Sequence, residues 1–282
     1  MDGRTVLITG GNTGLGKETA VALAAMGAHV AITSRDPEKG AVARAEIRER
    51  SGRDDVEVVA LDLASLAAVR ATAAEVTERF DRLDVLVNNA GLMLGSRRQT
   101  VDGYEMTFQV NHLGPFLLTT LLHDRLAAGD GARVVNLASM AHRSARGGLD
   151  FDDLQSTRRY RSFTVYARSK LADILFTREL ARRWEADGVT ANAVHPGFVY
   201  SQFARDGDVG GLVNAVYPLL KPFAMSPEQG ARTQVYVASA PELDGVTGGY
   251  WAKSAPATPS KAAQDDAAAA RLWEISEQLV AR

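Results

Sequence analysis

The chain has 282 residues, of which 46% are hydrophobic and 23% are charged. This composition is typical of a globular protein with one sizeable core and is unlike that of disordered, collagen-like or coiled-coil chains. A net charge of −2 gives no electrostatic reason to expect nucleic acid or an anionic membrane as a partner, and the absence of cysteine excludes disulfides and thiolate metal ligands.

Short β-branched segments alternate along the chain with longer segments of helical periodicity, as expected for parallel strands joined by crossover helices. The predicted strands are 5–9, 28–34, 56–63, 83–91, 132–139, 189–197 and 248–252. The predicted helices are 14–26, one that ends near residue 53, 65–79, 103–128, 162–180, one after Pro227, and 265–280. Because the strands are almost continuously apolar, helices should cover both faces of the sheet. The prediction is an α/β protein with a single-domain, Rossmann-type, doubly wound parallel sheet, which binds ligands at the carboxyl ends of its strands.

The chain shows no sign of targeting or of a second domain. The N-terminus lacks the basic and apolar regions of a signal peptide, and no run of about 18 apolar residues occurs. We therefore expect a cytoplasmic chain without a membrane span. No linker rich in Pro, Ser or Gly divides the middle, so we expect residues 1–282 to form one domain. The five histidines lack metal-ligand spacing, and we expect no metal.

A glycine-rich segment joins the first predicted strand to the first helix. Gly10, Gly14 and Gly16 allow a sharp turn and a close approach of the backbone to a phosphate, while the helix N-terminus offers free N–H groups. The spacing departs from G-x-G-x-x-G, since Thr19 stands at the last position. A turn that merely joins a strand to a helix remains the alternative, but its place after the first strand of an α/β chain favours phosphate binding.

Tyr166 and Lys170 lie four positions apart in the helix predicted at 162–180, so their side chains share one face. A phenol, with a pKa of about 10, exchanges protons poorly at neutral pH unless a nearby positive charge stabilises its phenolate. An isolated pair at this spacing is usually a surface feature. The glycine loop, and Ser139 at the end of a predicted strand, favour general acid–base catalysis instead.

Six features together resemble the motifs of the short-chain dehydrogenase/reductase family in order and spacing. They are TGGNTGLG (9–16), NNAG (88–91), Asn111, Ser139, YARSK (166–170) and PGFVYS (196–201). The likeness covers nearly the whole chain. Segments 33–40, 169–183 and 227–236 further resemble the retinol dehydrogenase and WW-domain oxidoreductase branch. The resemblance implies hydride transfer between a nicotinamide and a carbonyl or alcohol carbon.

The resemblance assigns catalytic roles to Asn111, Ser139, Tyr166 and Lys170. Ser139 would hydrogen-bond the substrate oxygen, and Tyr166 would give the proton to the developing alkoxide or accept it in the reverse direction. Lys170 would bind the nicotinamide ribose and lower the pKa of Tyr166. Asn111 would distort its helix and hold a water that links Lys170 to solvent. The resemblance gives His195 a structural role only.

The resemblance also implies a set of cofactor contacts beyond Tyr166 and Lys170. They are Gly10, Asn12, Thr13, Gly14, Leu15, Gly16, Ser34, Arg35, Asp62, Leu63, Asn89, Ala90, Gly91, Pro196, Gly197, Val199 and Ser201. Asp62 is equally compatible with capping the helix that begins at Ser65, and Asn89 and Gly91 would also help to fix the central strand. Ser201 stands where the family usually has Thr, but serine supplies the same hydroxyl.

The end of the second predicted strand favours NADP(H) over NAD(H). Ser34 stands where NAD-binding members of the family carry an Asp, so no carboxylate there repels a 2′-phosphate, and Arg35 offers planar donors that match one. The spacing rule for a ribose-binding acid points instead to Asp36. However, Asp36 precedes Pro37 and suits a helix N-cap. The glycine loop lacks a second basic residue, since Thr13 stands there.

Residues 201–227 combine glycines with an apolar run, which predicts a substrate lid; a helix pair packed on the core is the alternative. The lid and the branch resemblance favour a small lipophilic carbonyl or alcohol substrate. The resemblance also implies a homodimer or homotetramer that pairs through helices at 113–128 and 165–184, whose apolar faces could equally belong to the core.

Two alternatives to an NADP(H)-dependent enzyme remain open. One is an NAD-dependent alcohol dehydrogenase of the same family. The other is a non-catalytic protein that senses NADP(H) and regulates a partner. Proteins of the latter kind commonly lose the tyrosine or the lysine, whereas this chain has both Tyr166 and Lys170.

Overall fold

Eight strands form one sheet in the computed structural model, which describes residues 1–199 and 224–281. The strand order is β3-β2-β1-β4-β5-β6-β7-β8, and only the short β8 at one edge runs antiparallel to its neighbour. The strands are β1 (Thr5–Ile8), β2 (His29–Ser34), β3 (Val56–Ala60), β4 (Val85–Asn88), β5 (Arg133–Leu137), β6 (Thr190–His195), β7 (Tyr250–Ala252) and β8 (Ala255–Pro256). The predicted α/β fold with a doubly wound parallel sheet is confirmed, and β8 is an addition to the prediction.

Helices cover both faces of this sheet. They are α1 (Gly14–Ala25), α2 (Pro37–Ser51), α3 (Leu66–Arg79), α4 (Met106–Phe108), α5 (Gly114–Leu121), α6 (His123–Ala127), α7 (Ser162–Arg183), α8 (Pro227–Ser239) and α9 (Asp266–Val280). One apolar cluster joins the sheet to α3, α5, α7 and α9, and a second joins it to α1, α2 and α8. Successive strand residues alternate between the two clusters, as Leu7 and Ile8 do in β1.

The prediction of one continuous helix over 103–128 is wrong, because the helix begins later and is interrupted twice. Glu105 accepts hydrogen bonds from the N–H groups of Thr107 and Phe108, so the first turn begins only at Met106. A π-helical segment then runs over Gln109–Leu113, and a further break separates α5 from α6 at Leu122. Periodicity alone does not reveal a π segment, because it adds only one residue to a turn.

The C-terminal helix α9 covers the helices through which assembly was predicted. The ring of Trp273 lies 5.0 Å from that of Phe116 on α5 and 5.8 Å from that of Phe176 on α7. Ser276 hydrogen-bonds His112 of the π segment at 2.8 Å. These faces of α5 and α7 are therefore core surfaces. A homodimer or homotetramer remains a prediction.

The strand order reverses between β1 and β4, because β1 leads to β2 on one side and β4 leads to β5 on the other. Loops that leave neighbouring parallel strands in opposite directions open a crevice at their carboxyl ends. The glycine loop, the turn at 88–91, Ser139 and Pro196 all follow strands of this central group. Most of the predicted site residues therefore share one edge of the sheet.

Candidate active site

The glycine loop after β1 has a conformation that other residues would not tolerate. Gly10 and Gly14 have φ values of +63° and +53°. A Cβ added at Gly16 would lie 2.5 Å from both the Asn89 Nδ2 and the Gly10 carbonyl oxygen. In the described part of the chain, the Thr13 side chain does not cap α1, and the first turn holds no acidic residue. The first N–H groups of α1 are therefore suited to an anion such as a pyrophosphate.

Asn89 joins the glycine loop to β4 and to α8. Its Nδ2 donates to the carbonyl oxygens of Thr9 (2.9 Å) and Gly10 (3.3 Å), and its Oδ1 accepts from the Gln234 side chain at 3.3 Å. The Ala90 N–H donates to the Thr9 hydroxyl at 3.0 Å. The structural part of the role expected for Asn89 is therefore present, and Gln234 is a contributor that the sequence did not reveal.

Asp36 caps α2, as the capping interpretation predicted. Its Oδ1 accepts from the N–H groups of Glu38 (3.0 Å) and Lys39 (3.1 Å). The Lys39 N–H bond is the main reason that the pKa of Asp36 lies below its usual value. The Ser34 side chain is buried and exchanges two hydrogen bonds with the Asp36 backbone. Arg35 is exposed and makes no hydrogen bond or ion pair with any described residue, so its guanidinium is available to a ligand.

The capping role considered for Asp62 is wrong, while an adenine contact of Asp62 and Leu63 stays a prediction. Asp62 does not cap α3, because the Ser65 side chain is the N-cap and accepts from the Ala68 N–H at 3.2 Å. Asp62 instead closes the preceding turn by accepting from the Ala64 N–H at 3.0 Å. The Leu63 side chain is buried in the core, so that residue could contact an adenine only through its backbone. Packing against the α5 end at Gly114, rather than strand position, decides where this side chain points.

Tyr166 and Lys170 lie together, as their spacing predicted. The Lys170 Nζ is 5.9 Å from the centre of the Tyr166 ring. Burial raises the pKa of Tyr166, while Lys170 and a side-chain hydrogen bond with Ser139 lower it. Lys170 thus acts in the expected direction, but the net pKa of Tyr166 lies above its usual value because burial has the larger effect.

Lys170 is held by two acceptors inside the protein. Its Nζ donates to the Leu137 carbonyl oxygen at 2.7 Å and to the Asp173 Oδ2 at 2.9 Å. Burial opposes its charge, but Asp173 and Tyr166 hold the pKa of Lys170 above the usual value. Burial raises the pKa of Asp173 to about 6 despite the attraction of Lys170. Sequence reasoning missed Asp173, although a carboxylate three positions after a lysine on a helix is a recognisable signal.

Asn111 lies in the π-helical segment, so the predicted distortion of its helix is present. Its Nδ2 donates to the Leu92 carbonyl oxygen and to the Ser169 hydroxyl, each at 2.9 Å, and its Oδ1 accepts from the Leu92 N–H at 2.8 Å. A Cβ added at Gly91 would lie 3.2 Å from the Asn111 Oδ1 and 3.6 Å from the Lys170 Nζ. Gly91 therefore brings the backbone of the 88–91 turn close to two predicted catalytic residues. A water held by Asn111 remains a prediction.

Ser139 is the N-cap of a 3-10 helix at Met140–Ser144, and its hydroxyl accepts from the Ala141 N–H at 3.2 Å. The carbonyl oxygen of Ser139 lies 2.6 Å from the His142 Nδ1, and the His142 Nε2 accepts from the Ser260 N–H at 3.0 Å. This arrangement requires a neutral imidazole with its proton on Nδ1, consistent with burial lowering the pKa of His142. His142 therefore links the segment after Ser139 to the C-terminal part of the chain. The sequence did not reveal this role.

The segment after β6 reaches the glycine loop through α8. Gly197 has a φ of +91°, which favours glycine at this turn. A Cβ added at Gly230 of α8 would lie 2.5 Å from Val199 and 2.6 Å from Leu15, so these two predicted contacts come together there. Ser201 and the predicted lid, apart from residues 224–227, lie outside the described residues.

Within residues 1–199 and 224–281, no group of three or more acidic or histidine side chains is arranged to hold a metal ion. No helix in the same ranges is both long enough and apolar enough to cross a bilayer.

The geometry agrees with comparisons to known proteins. A family model described as short chain dehydrogenase matches residues 4–150 and 153–208. Retinol dehydrogenase 13 from Homo sapiens is 43% identical over 282 residues, which cover 99% of this chain and 85% of that protein. Retinol dehydrogenase 12 from Mus musculus is 45% identical over 278 residues, with coverage of 99% and 86%.

Two solved structures resemble the fold closely. An uncharacterized protein from Mycobacterium Paratuberculosis superposes with a TM-score of 0.79 and 37% identity, covering 99% of this chain and 94% of that one. RhlG from Pseudomonas aeruginosa, in an active-site complex with NADP, superposes with a TM-score of 0.71 and 27% identity, covering 90% of this chain and 95% of that one.

Proposed function

Because the chain belongs to the short-chain dehydrogenase family and is an oxidoreductase acting on CH–OH groups, we propose that it transfers a hydride between NADP(H) and a lipophilic carbonyl or alcohol, with Tyr166 as the acid and base. The observation that carries this proposal is the proximity of Ser139, Tyr166 and Lys170 beside the glycine loop's edge of the sheet. Residue types that can hold an oxygen, move a proton and stabilise a phenolate meet there.

The nicotinamide supplies or accepts the hydride, and the chain's own residues control the proton and the geometry. Ser139 is oriented by the Ala141 N–H and shares a hydrogen bond with Tyr166, so the two hydroxyls can hold one substrate oxygen between them. Reduction takes the proton from the Tyr166 hydroxyl to that oxygen. The phenolate left behind faces the Lys170 ammonium, whose attraction lowers the pKa of Tyr166.

Three features of the adenosine end support NADP(H) as the cofactor. Ser34 is neutral and buried, Asp36 is committed to capping α2, and Arg35 is exposed at the carboxyl end of β2. A planar guanidinium is suited to a phosphate, and no uncommitted carboxylate at this strand end repels one. RhlG, whose fold resembles that of this chain, forms an active-site complex with NADP, which adds support from a relative.

Exposed apolar side chains next to the site support a lipophilic substrate. Met140, Phe163 and Phe198 are 54%, 52% and 44% exposed. Met140 follows Ser139, Phe163 lies one helical turn before Tyr166, and Phe198 follows Gly197. Burial of such surface against an apolar ligand contributes about 25 cal/mol for each Å² removed from water. The retinol dehydrogenases that the chain resembles are named for a lipophilic alcohol.

Replacement of the phenol tests the catalytic proposal directly. With NADPH and a panel of lipophilic aldehydes and ketones, we expect Tyr166→Phe to lower kcat by at least about 100-fold, the usual contribution of a positioned general acid. NADPH binding, measured by its fluorescence, should persist in the variant. Equal turnover by the two proteins would remove Tyr166 as the proton donor. Tight NADPH binding by the wild type without turnover of any substrate would favour the sensing alternative.

Replacement of Arg35 tests the choice of cofactor. We expect Arg35→Ala to weaken NADPH binding about 10-fold to 100-fold and to leave NADH binding nearly unchanged, because only NADPH carries the 2′-phosphate. Arg53→Ala is the control, since the Arg53 side chain is 42% exposed and pairs with Asp55 before β3, at the amino ends of the strands rather than the carboxyl ends. Equal losses for both cofactors would instead support NAD(H).

A further inference from the structure

Asp173, a buried carboxylate, pairs with Lys170, the cation on which the proposed catalysis depends. Asp173 Oδ2 lies 2.9 Å from Lys170 Nζ, and the two side chains are only 8% and 4% exposed. Removing both charges from water costs more than their attraction usually returns, so a buried pair is weak evidence of a stabilising role. Asp173 lies one helical turn beyond Lys170, on the side away from Tyr166 in the chain, and this position suggests a role in the reaction.

Asp173 limits the directions in which Lys170 can donate. An ammonium has three N–H donors, and here the Leu137 carbonyl oxygen and the Asp173 carboxylate accept two of them. One donor is left for a cofactor hydroxyl or for Tyr166. Because one acceptor belongs to β5 and the other to α7, the ammonium is fixed between strand and helix beside Gly91.

The charge of Asp173 also reaches Tyr166. Lys170 lowers the pKa of Tyr166, whereas Asp173 raises it, so the carboxylate offsets part of the effect of the cation. A neutral residue of the same shape at position 173 would remove this opposing charge and leave burial as the remaining effect that raises the pKa of Tyr166. Asp173 thus differs from a side chain that only fills space.

Other ionisable groups that pack on α7 do not supply this charge. His112 on the π segment has its pKa lowered to about 3 by burial. Burial also lowers the pKa of His142, on the 3-10 helix after Ser139, and of His195 at the end of β6. These three groups are neutral at neutral pH. On α9, Asp266 pairs with Arg178 at the surface, and Lys170 is the one charged group that acts on Asp173 among the described residues.

We propose, on the basis of the function proposed above, that Asp173 is a positioning residue that fixes the Lys170 ammonium between α7 and β5 and, by its negative charge, offsets part of the attraction of that cation for the Tyr166 phenolate. The protonated phenol that carbonyl reduction needs is thereby favoured. The proton still passes from the Tyr166 hydroxyl to the substrate oxygen, and Asp173 gives up no proton in the step. Its two effects are separable. Hydrogen bonding to Lys170 needs only an acceptor, whereas the effect on Tyr166 needs the charge.

Asp173→Asn separates the two effects, because asparagine keeps an acceptor and loses the charge. Reduction by the proposed mechanism requires a protonated Tyr166, so kcat/KM for reduction falls at high pH. We expect this fall to move about one pH unit lower in Asp173→Asn, the lower end of the effect of a nearby charge. In the pH range where alcohol oxidation still rises with pH, Asp173→Asn should oxidise alcohol about tenfold faster than the wild type. If the fall of kcat/KM at high pH, the high-pH limb of the profile, stayed in place or moved to higher pH, the proposal would be overturned.

Ionisation of Tyr166 can be followed without turnover. The near-ultraviolet absorbance of each protein is titrated together with its Tyr166→Phe counterpart, and the difference reports the phenolate of Tyr166. The midpoint should be lower in the Asp173→Asn background by the same interval as the kinetic limb. Coincident midpoints in the two backgrounds would contradict the charge effect.

Two further variants complete the test. One separates the positioning of Lys170 from the effect of the Asp173 charge, and the other controls for the loss of any carboxylate from α7. Asp173→Leu offers no acceptor, so we expect it to weaken NADPH binding about fivefold, whereas Asp173→Asn should bind nearly as the wild type does. Similar NADPH affinity of Asp173→Leu and the wild type would overturn the positioning role. Glu179→Gln removes another carboxylate from α7 and should leave the pH limb in place.

The outcomes also distinguish this proposal from the proposed function. If Tyr166→Phe turns over substrate as the wild type does, the catalytic proposal fails, and the Asp173 proposal fails with it. If Tyr166→Phe is inactive but Asp173→Asn shows an unshifted limb while folding and binding NADPH normally, only the Asp173 proposal fails.

Discussion

Helix α7 carries two ion-pair groups that differ in their contact with water. Lys170 and Asp173 are both almost fully buried, at 4% and 8% exposure. Further along, the Glu179 carboxylate is equally buried, but its partners Arg182 and Arg183 are 63% and 32% exposed. Burial opposes ionisation of both acids. It prevails at Asp173, whose pKa rises to about 6, while the hydrogen bonds from the two arginines hold the pKa of Glu179 below its usual value.

The two groups share one spacing along the helix. Lys170 and Asp173 are three residues apart, as are Glu179 and Arg182. The difference arises because the arginine side chains reach solvent, whereas Lys170 points between α7 and β5. Charges that keep their water lose little solvation, and their pairing adds little stability. Charges enclosed by the protein depend on each other strongly.

The largest effect should follow from breaking the enclosed pair. Lys170→Met leaves Asp173 buried without its cation, and we expect a loss of about 3 to 5 kcal/mol in the free energy of unfolding at neutral pH. Denaturant unfolding at pH 7.5 measures it. The loss should shrink near pH 5, where Asp173 takes up a proton because its pKa already lies at about 6 in the wild type.

The double variant Lys170→Met/Asp173→Leu controls for lost packing. Replacing both charges with apolar groups should recover most of the stability, because no uncompensated charge remains. If the double variant were as unstable as Lys170→Met, the loss would come from packing rather than from the stranded carboxylate.

A smaller effect should come from His112, which contacts α7 through the Phe176 ring at 6.0 Å. Burial lowers its pKa from 6.5 to about 3, so the unfolded chain binds a proton below pH 6.5 that the folded protein does not. The contribution of His112 to the free energy of unfolding is therefore fully present above pH 6.5 and is lost as the pH drops toward 3. Between pH 7 and pH 5 we expect His112 to account for a loss of about 2 kcal/mol.

Denaturant unfolding of the wild type and His112→Gln at several pH values isolates this contribution. Glutamine keeps a polar group near Ser276 but does not titrate, so the difference in stability between the proteins should change by that amount across the interval. A constant difference would show that His112 has the same proton affinity in the folded and unfolded chains. Because Asp173 and the other histidines are common to both proteins, their contributions cancel.

The smallest effect should come from the second ion-pair group. Glu179→Gln removes its charge, yet Arg182 and Arg183 remain solvated, so we expect a change of about 1 kcal/mol or less in stability. Turnover and its pH profile should match those of the wild type. A loss as large as that of Lys170→Met would remove the contrast between the two ends of α7.

The parts of the site that were predictable depend on local chemistry. Gly10 and Gly14 adopt positive φ values that their residue type favours, and Asp36 caps the helix that Pro37 begins. Tyr166 and Lys170 meet because four residues span one turn. These relations involve neighbours in the chain, so spacing and residue type were sufficient.

The parts that were missed depend on distant packing. The hydrogen bond from Gln234 to Asn89 joins α8 to the turn after β4, and the choice between an assembly surface and the core for the apolar faces of α5 and α7 is decided by α9, which covers them. The His142 link to Ser260 joins residues more than one hundred positions apart, and only the fold brings them together. None of these outcomes has a local pattern.

The sequence by itself determined the order of the predicted strands and helices, the turn that suits a phosphate, and the helical face that a phenol and an amine share. Only the tertiary structure decided that Lys170 and Asp173 are closed off from water while Glu179 shares its charge with exposed arginines. The physical reason is that helical spacing sets which side chains are neighbours, whereas the strands and helices packed around them set how much water remains to solvate their charges.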